Sequence, residues 1–131
     1  MIRRRQVAFV LLMAGLAVPS AMSSRQPEVR RTVLQRNDLS MSNREAVVAI
    51  AEIPPGGQTG RHTHPGEEVS YVLEGTIVLE VDGAQPVTLN AGAPAFIAAG
   101  RTHNARNPGS ASARVLATYV VEKGQPVTTP R

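Results

Sequence analysis

From Val29 onward the chain is a succession of short apolar runs, each stopped by glycine or proline. "REAVVAIAEI" ends at "PPGG", "EVSYVLE" at Gly75, "TIVLEV" at Asp82-Gly83, and "APAFIAA" at Gly100. None is long enough to sustain a 3.6-residue apolar period, so a helical core has no material to build on. β-branched runs punctuated by turn residues predict an all-β domain, a sandwich or barrel of many strands. The expected strands are "VRRTVLQR", "REAVVAIAEI", Val69 to Leu73, Thr76 to Val81, "PVTLN", "APAFI", the segment around His103, and "ARVLATYVV". Val69 to Leu73 and Thr76 to Val81 read as a hairpin turning at Glu74-Gly75. Large aromatics are few, so the core must rest on Val, Ile, Leu and Ala, with Phe96 expected among them.

The N-terminus has a different character. Arg3, Arg4 and Arg5 precede an apolar run from Val7 to Val18, and small residues follow at Ser20, Ala21, Ser23 and Ser24. That order is the order of a secretory signal peptide. The run is 12 residues long, whereas a bilayer-spanning helix needs about 20. The expectation is a signal-peptide helix over residues 1–23, cleaved on export, and so no stable membrane span. "RRQVAF" also partly matches a twin-arginine signal, which leaves the export route open. Residues 24–28 read as a linker, 29–121 as the β domain, and 122–131 as a polar, Pro-rich tail expected to fray. The protein is then exported, periplasmic or secreted.

Removing the leader changes the charge. The whole chain carries 14 basic and 10 acidic residues, and three of the arginines lie in the leader, leaving 11 − 10 = +1. Nothing in that balance suits a nucleic-acid partner. The chain has no cysteine. A metal site would therefore have to use histidine, carboxylate or water, which excludes Cys-type zinc and iron–sulfur centres.

All three histidines lie in two glycine-bounded segments, "GRHTHPGEEVSYVLEG" and "GRTHNARNPG". On a strand, residues i and i+2 face one side, about 6.5–7 Å apart. His62 and His64 can thus point at one place. Pro65-Gly66 permits a sharp bend, after which the next strand can run back beside the first and bring Glu68 to the same place. His103 can complete the set if the sheet closes into a barrel. Three imidazoles and one carboxylate suit a divalent transition metal: iron, manganese, nickel, copper and zinc alike. An HxH pair by itself is as compatible with solvated loop histidines.

The spacing resembles the cupin superfamily. Its first motif, G-x5-H-x-H-x3,4-E-x6-G, is met by Gly56, His62, His64, Glu68 and Gly75, and its second, G-x5-P-x-G-x2-H-x3-N, by Gly92, Gly100, His103 and Asn107. Ala98 stands where the family has proline, a turn position and not a ligand. The resemblance selects Glu68 over Glu67, whose strand parity is opposite to that of the histidines. It implies a jelly-roll β-barrel (a double-stranded β-helix) spanning about Val29 to Val121, with the metal inside. It also implies a homodimer, to which the strand at Val29 to Arg36 can add.

On this resemblance, His62, His64, Glu68 and His103 are the metal ligands, and Glu68 can also act as a catalytic base, as in cupin dioxygenases of the quercetinase type. The expected partner is a small oxygen-rich substrate or ligand. Arg61, Arg101 and Arg106 flank the ligand segments and can either bind an anion or form a solvated rim. Asn107 is expected to fix a turn, and Tyr71 can face either way. Two functional classes follow: a metal-dependent enzyme, dioxygenase-like or an isomerase or lyase, and a non-catalytic metal- or ligand-binding module of the cell envelope.

Overall fold

The computed structural model describes residues 26–131; the leader expected over residues 1–23 lies outside the described residues. The described residues form ten strands: β1 (Arg30–Asp38), β2 (Arg44–Ile53), β3 (His62–Thr63), β4 (Gly66–Glu74), β5 (Thr76–Val81), β6 (Val87–Asn90), β7 (Pro94–Ile97), β8 (His103–Arg106), β9 (Ala113–Glu122) and β10 (Thr129–Pro130). Among the described residues no helix is long and apolar enough to cross a membrane.

The strands form two sheets of five, ordered β1-β2-β9-β4-β7 and β10-β3-β8-β5-β6, and every pairing is antiparallel. From β3 to β9 the chain passes repeatedly from one sheet to the other, which is the jelly-roll arrangement. The inner face of the first sheet is cleanly patterned. Along β9, Ala113, Val115, Ala117, Tyr119 and Val121 are buried, while the residues between them are half-buried. Along β4 the buried set is Gly66, Glu68, Ser70 and Val72. Aliphatic side chains from both sheets, Ile53, Val72, Val115 and Ile77 among them, pack into the core. A second group of Val47, Ala49, Ala117, Tyr119 and Val121 continues it along the first sheet.

Three expectations need correction. First, β4 and β5 are both strands, but they do not pair. A single residue, Gly75, separates them, too short for a two-residue hairpin loop. Gly75 takes a left-handed φ of 76°, and the chain turns there from the first sheet into the second. Likewise β4 does not run back beside β3; the Pro65-Gly66 bend sends it into the opposite sheet. Second, Phe96 is not core. It is 65% exposed, because Ile97 takes the inward position and Phe96 faces outward beside Val69. Tyr71, left open above, also faces outward and is 46% exposed. Third, the tail from Glu122 does not fray: Thr129 and Pro130 pair with Thr63 and His62, and Val127 packs on the core.

Gly66 marks the tightest crossing. It pairs with Val121, and a Cβ there would lie 1.9 Å from the Val120 carbonyl oxygen. That contact is with backbone, so it cannot relax by rotating a side chain. Gly66→Ala should cost about 1–3 kcal/mol and lower Tm by at least about 5 °C. Thermal denaturation checks this, and an unchanged Tm would contradict so close an approach of β4 to β9.

Candidate metal centre

The second sheet supplies the histidines. His62 lies on β3 directly opposite His103 on β8, and His64 follows the end of β3. The first sheet supplies Glu68, on β4 opposite Tyr119. The four predicted residues therefore meet across the interior from two sheets. All are buried, and one ligand atom of each lies within 4.8 Å of the others. Glu67 is directed the other way along β4 and is half-buried, as its parity required.

Each imidazole is held from behind. Nδ1 of His62 bonds the Gly60 carbonyl at 2.7 Å, Nδ1 of His103 the Arg101 carbonyl at 2.9 Å, and Nδ1 of His64 the Val127 carbonyl. A carbonyl oxygen can only accept, so the proton is on Nδ1 in all three rings and donates to it. Nε2 is then a bare lone pair, and all three face the cluster. His64 Nε2 lies 2.9 Å and His103 Nε2 3.2 Å from the same carboxylate oxygen, Oε2 of Glu68. Even at the shorter distance His64 Nε2 has no hydrogen-bond partner, since two acceptors share no proton. Buried acceptors so close repel unless a cation lies between them. The donor set, three nitrogens and a carboxylate without sulfur, suits a divalent metal ion.

The electrostatics agree. Burial lowers His62 from its ordinary value to about 4, against its bond to Gly60, which raises it, while the charges of His103, His64 and Arg31 lower it further. The ring is therefore neutral at pH 7 and ready to coordinate. Burial would raise Glu68, but its polar neighbours His103, His64 and Ser70 outweigh it and hold the carboxyl well below the usual range. Ser70 Oγ–H donates to Oε1, leaving Oε2 to the imidazoles.

Beside the cluster is a cavity of about 40 Å³, room for on the order of three water molecules. Its polar lining is Arg31, Thr59, His62, Glu68, Ser70, His103 and Tyr119; the rest is aliphatic. Burial, then the Glu68 charge, pushes the Tyr119 hydroxyl up to about 12, with Arg31 opposing. It stays protonated and can donate to a ligand oxygen. The arginines singled out from the sequence are committed elsewhere. Arg61 forms a two-pronged pair with Asp82 at 2.8 and 2.7 Å, Arg101 bonds the Asp82 carbonyl, and Arg106 pairs with Glu80 at 2.6 Å. They form the solvated rim and do not line the cavity. Asn107 fixes the turn after β8, donating to Ile53 and Ala111 carbonyls and accepting from the Gly109 amide.

A cupin-domain family model matches residues 49–128, well over half of the chain, and the stretch includes all four clustered residues. The chain belongs to the cupins. This cupin is 32% identical over 83 residues to an oxalate-binding protein of Thermotoga maritima, covering 63% of the chain and 68% of the relative. It is similar in fold to a double-stranded β-helix protein of Klebsiella pneumoniae, with TM-score 0.65 and 21% identity over 79% of this chain and 86% of that one. A cupin superfamily protein from Desulfitobacterium hafniense matches with TM-score 0.59 and 17% identity, covering 77% and 84%.

Tyr119, Ser70 and Arg31 escaped the sequence reading, though the first two carried a parity signal. Tyr119 alternates with Val115, Ala117 and Val121, and Ser70 follows Glu68 by two. Glu68→Gln should weaken metal binding by more than about 100-fold, beyond what the loss of a ligand-orienting residue does, and Glu67→Gln should leave it unchanged. Metal titration of both variants checks this; equal effects would remove Glu68 from the ligand set.

Proposed function

We propose that this cupin is an exported, metal-dependent protein that binds a small chelating carboxylate of the oxalate class. The observation that carries the reading is the set of four buried acceptors from opposing sheets, with bare Nε2 atoms facing one carboxylate oxygen. His62, His64, Glu68 and His103 would hold the ion, and four protein donors leave two positions of a six-coordinate site for ligand oxygens. A bound divalent ion supplies Lewis acidity there and, if redox-active, electron transfer. The cavity admits a ligand of only a few heavy atoms beside the ion. The relative named for oxalate binding supports the ligand class.

A second reading, dioxygenase-like or lyase turnover with Glu68 as base, is supported by the position of Glu68 on the cavity wall. Weighing against it, Glu68 is the only carboxylate on that wall among the described residues, and the Tyr119 hydroxyl is too weak an acid to exchange its proton readily. A ligand carboxylate has its hydrogen-bond donor in Tyr119, but a reacting one has no second acid–base group.

Export is supported by the order of charged, apolar and small residues between Arg3 and Ser24. A homodimer is supported by Val69, Tyr71 and Phe96, large apolar side chains clustered on the outer face of the first sheet. One preparation tests all of this. Native protein taken from the cell envelope should begin near Ser24, scatter light as a dimer, and bind oxalate in calorimetry only while its metal is retained. Chelator treatment should abolish that binding. Oxygen uptake or product formation with oxalate would favour the enzyme; oxalate binding unaffected by metal removal would sink the proposal.

A further inference from the structure

Arg31 lies on the edge strand β1, where every residue is exposed, and from composition it is one more surface arginine. Its register says otherwise. Arg31 pairs with Ala51, which is buried and lines the metal cavity, and paired residues point to the same face of a sheet. Arg31 also lines that cavity, and among the described residues no other lysine or arginine does. Six other cations, Arg30, Arg36, Arg61, Arg106, Arg114 and Lys123, each form an ion pair with a carboxylate. Arg31 forms none among the described residues. It shares the cavity wall with Tyr119 and His62.

We propose that Arg31 is the residue that selects a dianionic ligand, gripping the oxygens that point away from the metal. The inference rests on the carboxylate-binding reading above. Its core is a charge count. A divalent ion and Glu68 leave a formal +1 in the cavity, which one carboxylate neutralises. Arg31 raises the sum to +2, which matches a dicarboxylate. The guanidinium presents its N–H donors in a planar fork that suits a carboxylate edge, whereas an ammonium offers a point charge. Tyr119 donates from the same side, so the ligand oxygens meet donors where the aliphatic wall has none. Arg31 is exposed, and recruiting it to the anion breaks no ion pair seen among the described residues.

The test compares oxalate with glycolate, a chelator of similar size and a single negative charge. Full-length, manganese-loaded wild type, Arg31→Gln and Arg31→Lys are titrated with both, and bound metal and Tm are recorded. The exposed position of Arg31 on an edge strand predicts unchanged metal content and Tm in both variants. Arg31→Gln should weaken oxalate binding by about 10–100-fold, the usual range for a hydrogen bond to a charged group, and glycolate by much less, while Arg31→Lys restores part of the loss. An oxalate preference unaltered in Arg31→Gln overturns the selection role and leaves the carboxylate-binding reading standing. Loaded wild type that binds neither ligand overturns both.

Discussion

The hydrogen bond from each histidine Nδ1 to a backbone carbonyl is the constraint on which the site depends. It consumes the one proton of the neutral ring and leaves Nε2 facing inward without one. Three such nitrogens, together with Oε2 of Glu68, concentrate lone pairs in a space from which water is largely excluded. Among the described residues, Ser70 serves the other carboxylate oxygen, and His64 Nε2 is left without a partner. A divalent cation would complete the set. Two of the three carbonyls belong to residues two positions before their histidines, Gly60 and Arg101, so the local chain sets those rings. The third belongs to Val127, which makes the C-terminal segment part of the site.

The same geometry explains why the site needs both sheets. The histidines enter from β3 and β8 or just beyond, and Glu68 from β4 across the interior. The Pro65-Gly66 bend does not fold β4 back on β3; it carries the chain over the gap, and the absence of a side chain at Gly66 lets β4 lie against β9 at that crossing. The ligands are thereby pinned to elements whose inner faces also form the hydrophobic core. The metal centre and the core share β9, where Tyr119 and Ala117 face the cavity while Val121 packs beyond them.

Much of this was legible in the sequence, for identifiable reasons. Glycine and proline punctuate the strands so sharply that "REAVVAIAEI" and "TIVLEV" coincide with β2 and β5. The i, i+2 spacing of the histidines and the parity of Glu68 against Glu67 are local properties, and the four residues do converge. What escaped was set by distant partners. Whether β4 pairs with β5 or leaves for the other sheet is not encoded in either strand. "APAFI" is apolar on both faces, so nothing local says that Phe96 faces out. "PVTTP" is polar and Pro-rich, yet it is held by pairing with β3. Arg31 is recognisable only once the β1–β2 register places it opposite Ala51.

The central claim is that the four buried acceptors hold one metal ion. Anomalous diffraction from crystals of the protein loaded with a single divalent metal tests it most directly. The account predicts one strong peak inside the barrel, bounded by Nε2 of His62, His64 and His103 and by Oε2 of Glu68, and its loss in Glu68→Gln. A loaded crystal with no peak there, or with the ion bound by Nδ1 atoms or surface carboxylates instead, would contradict it.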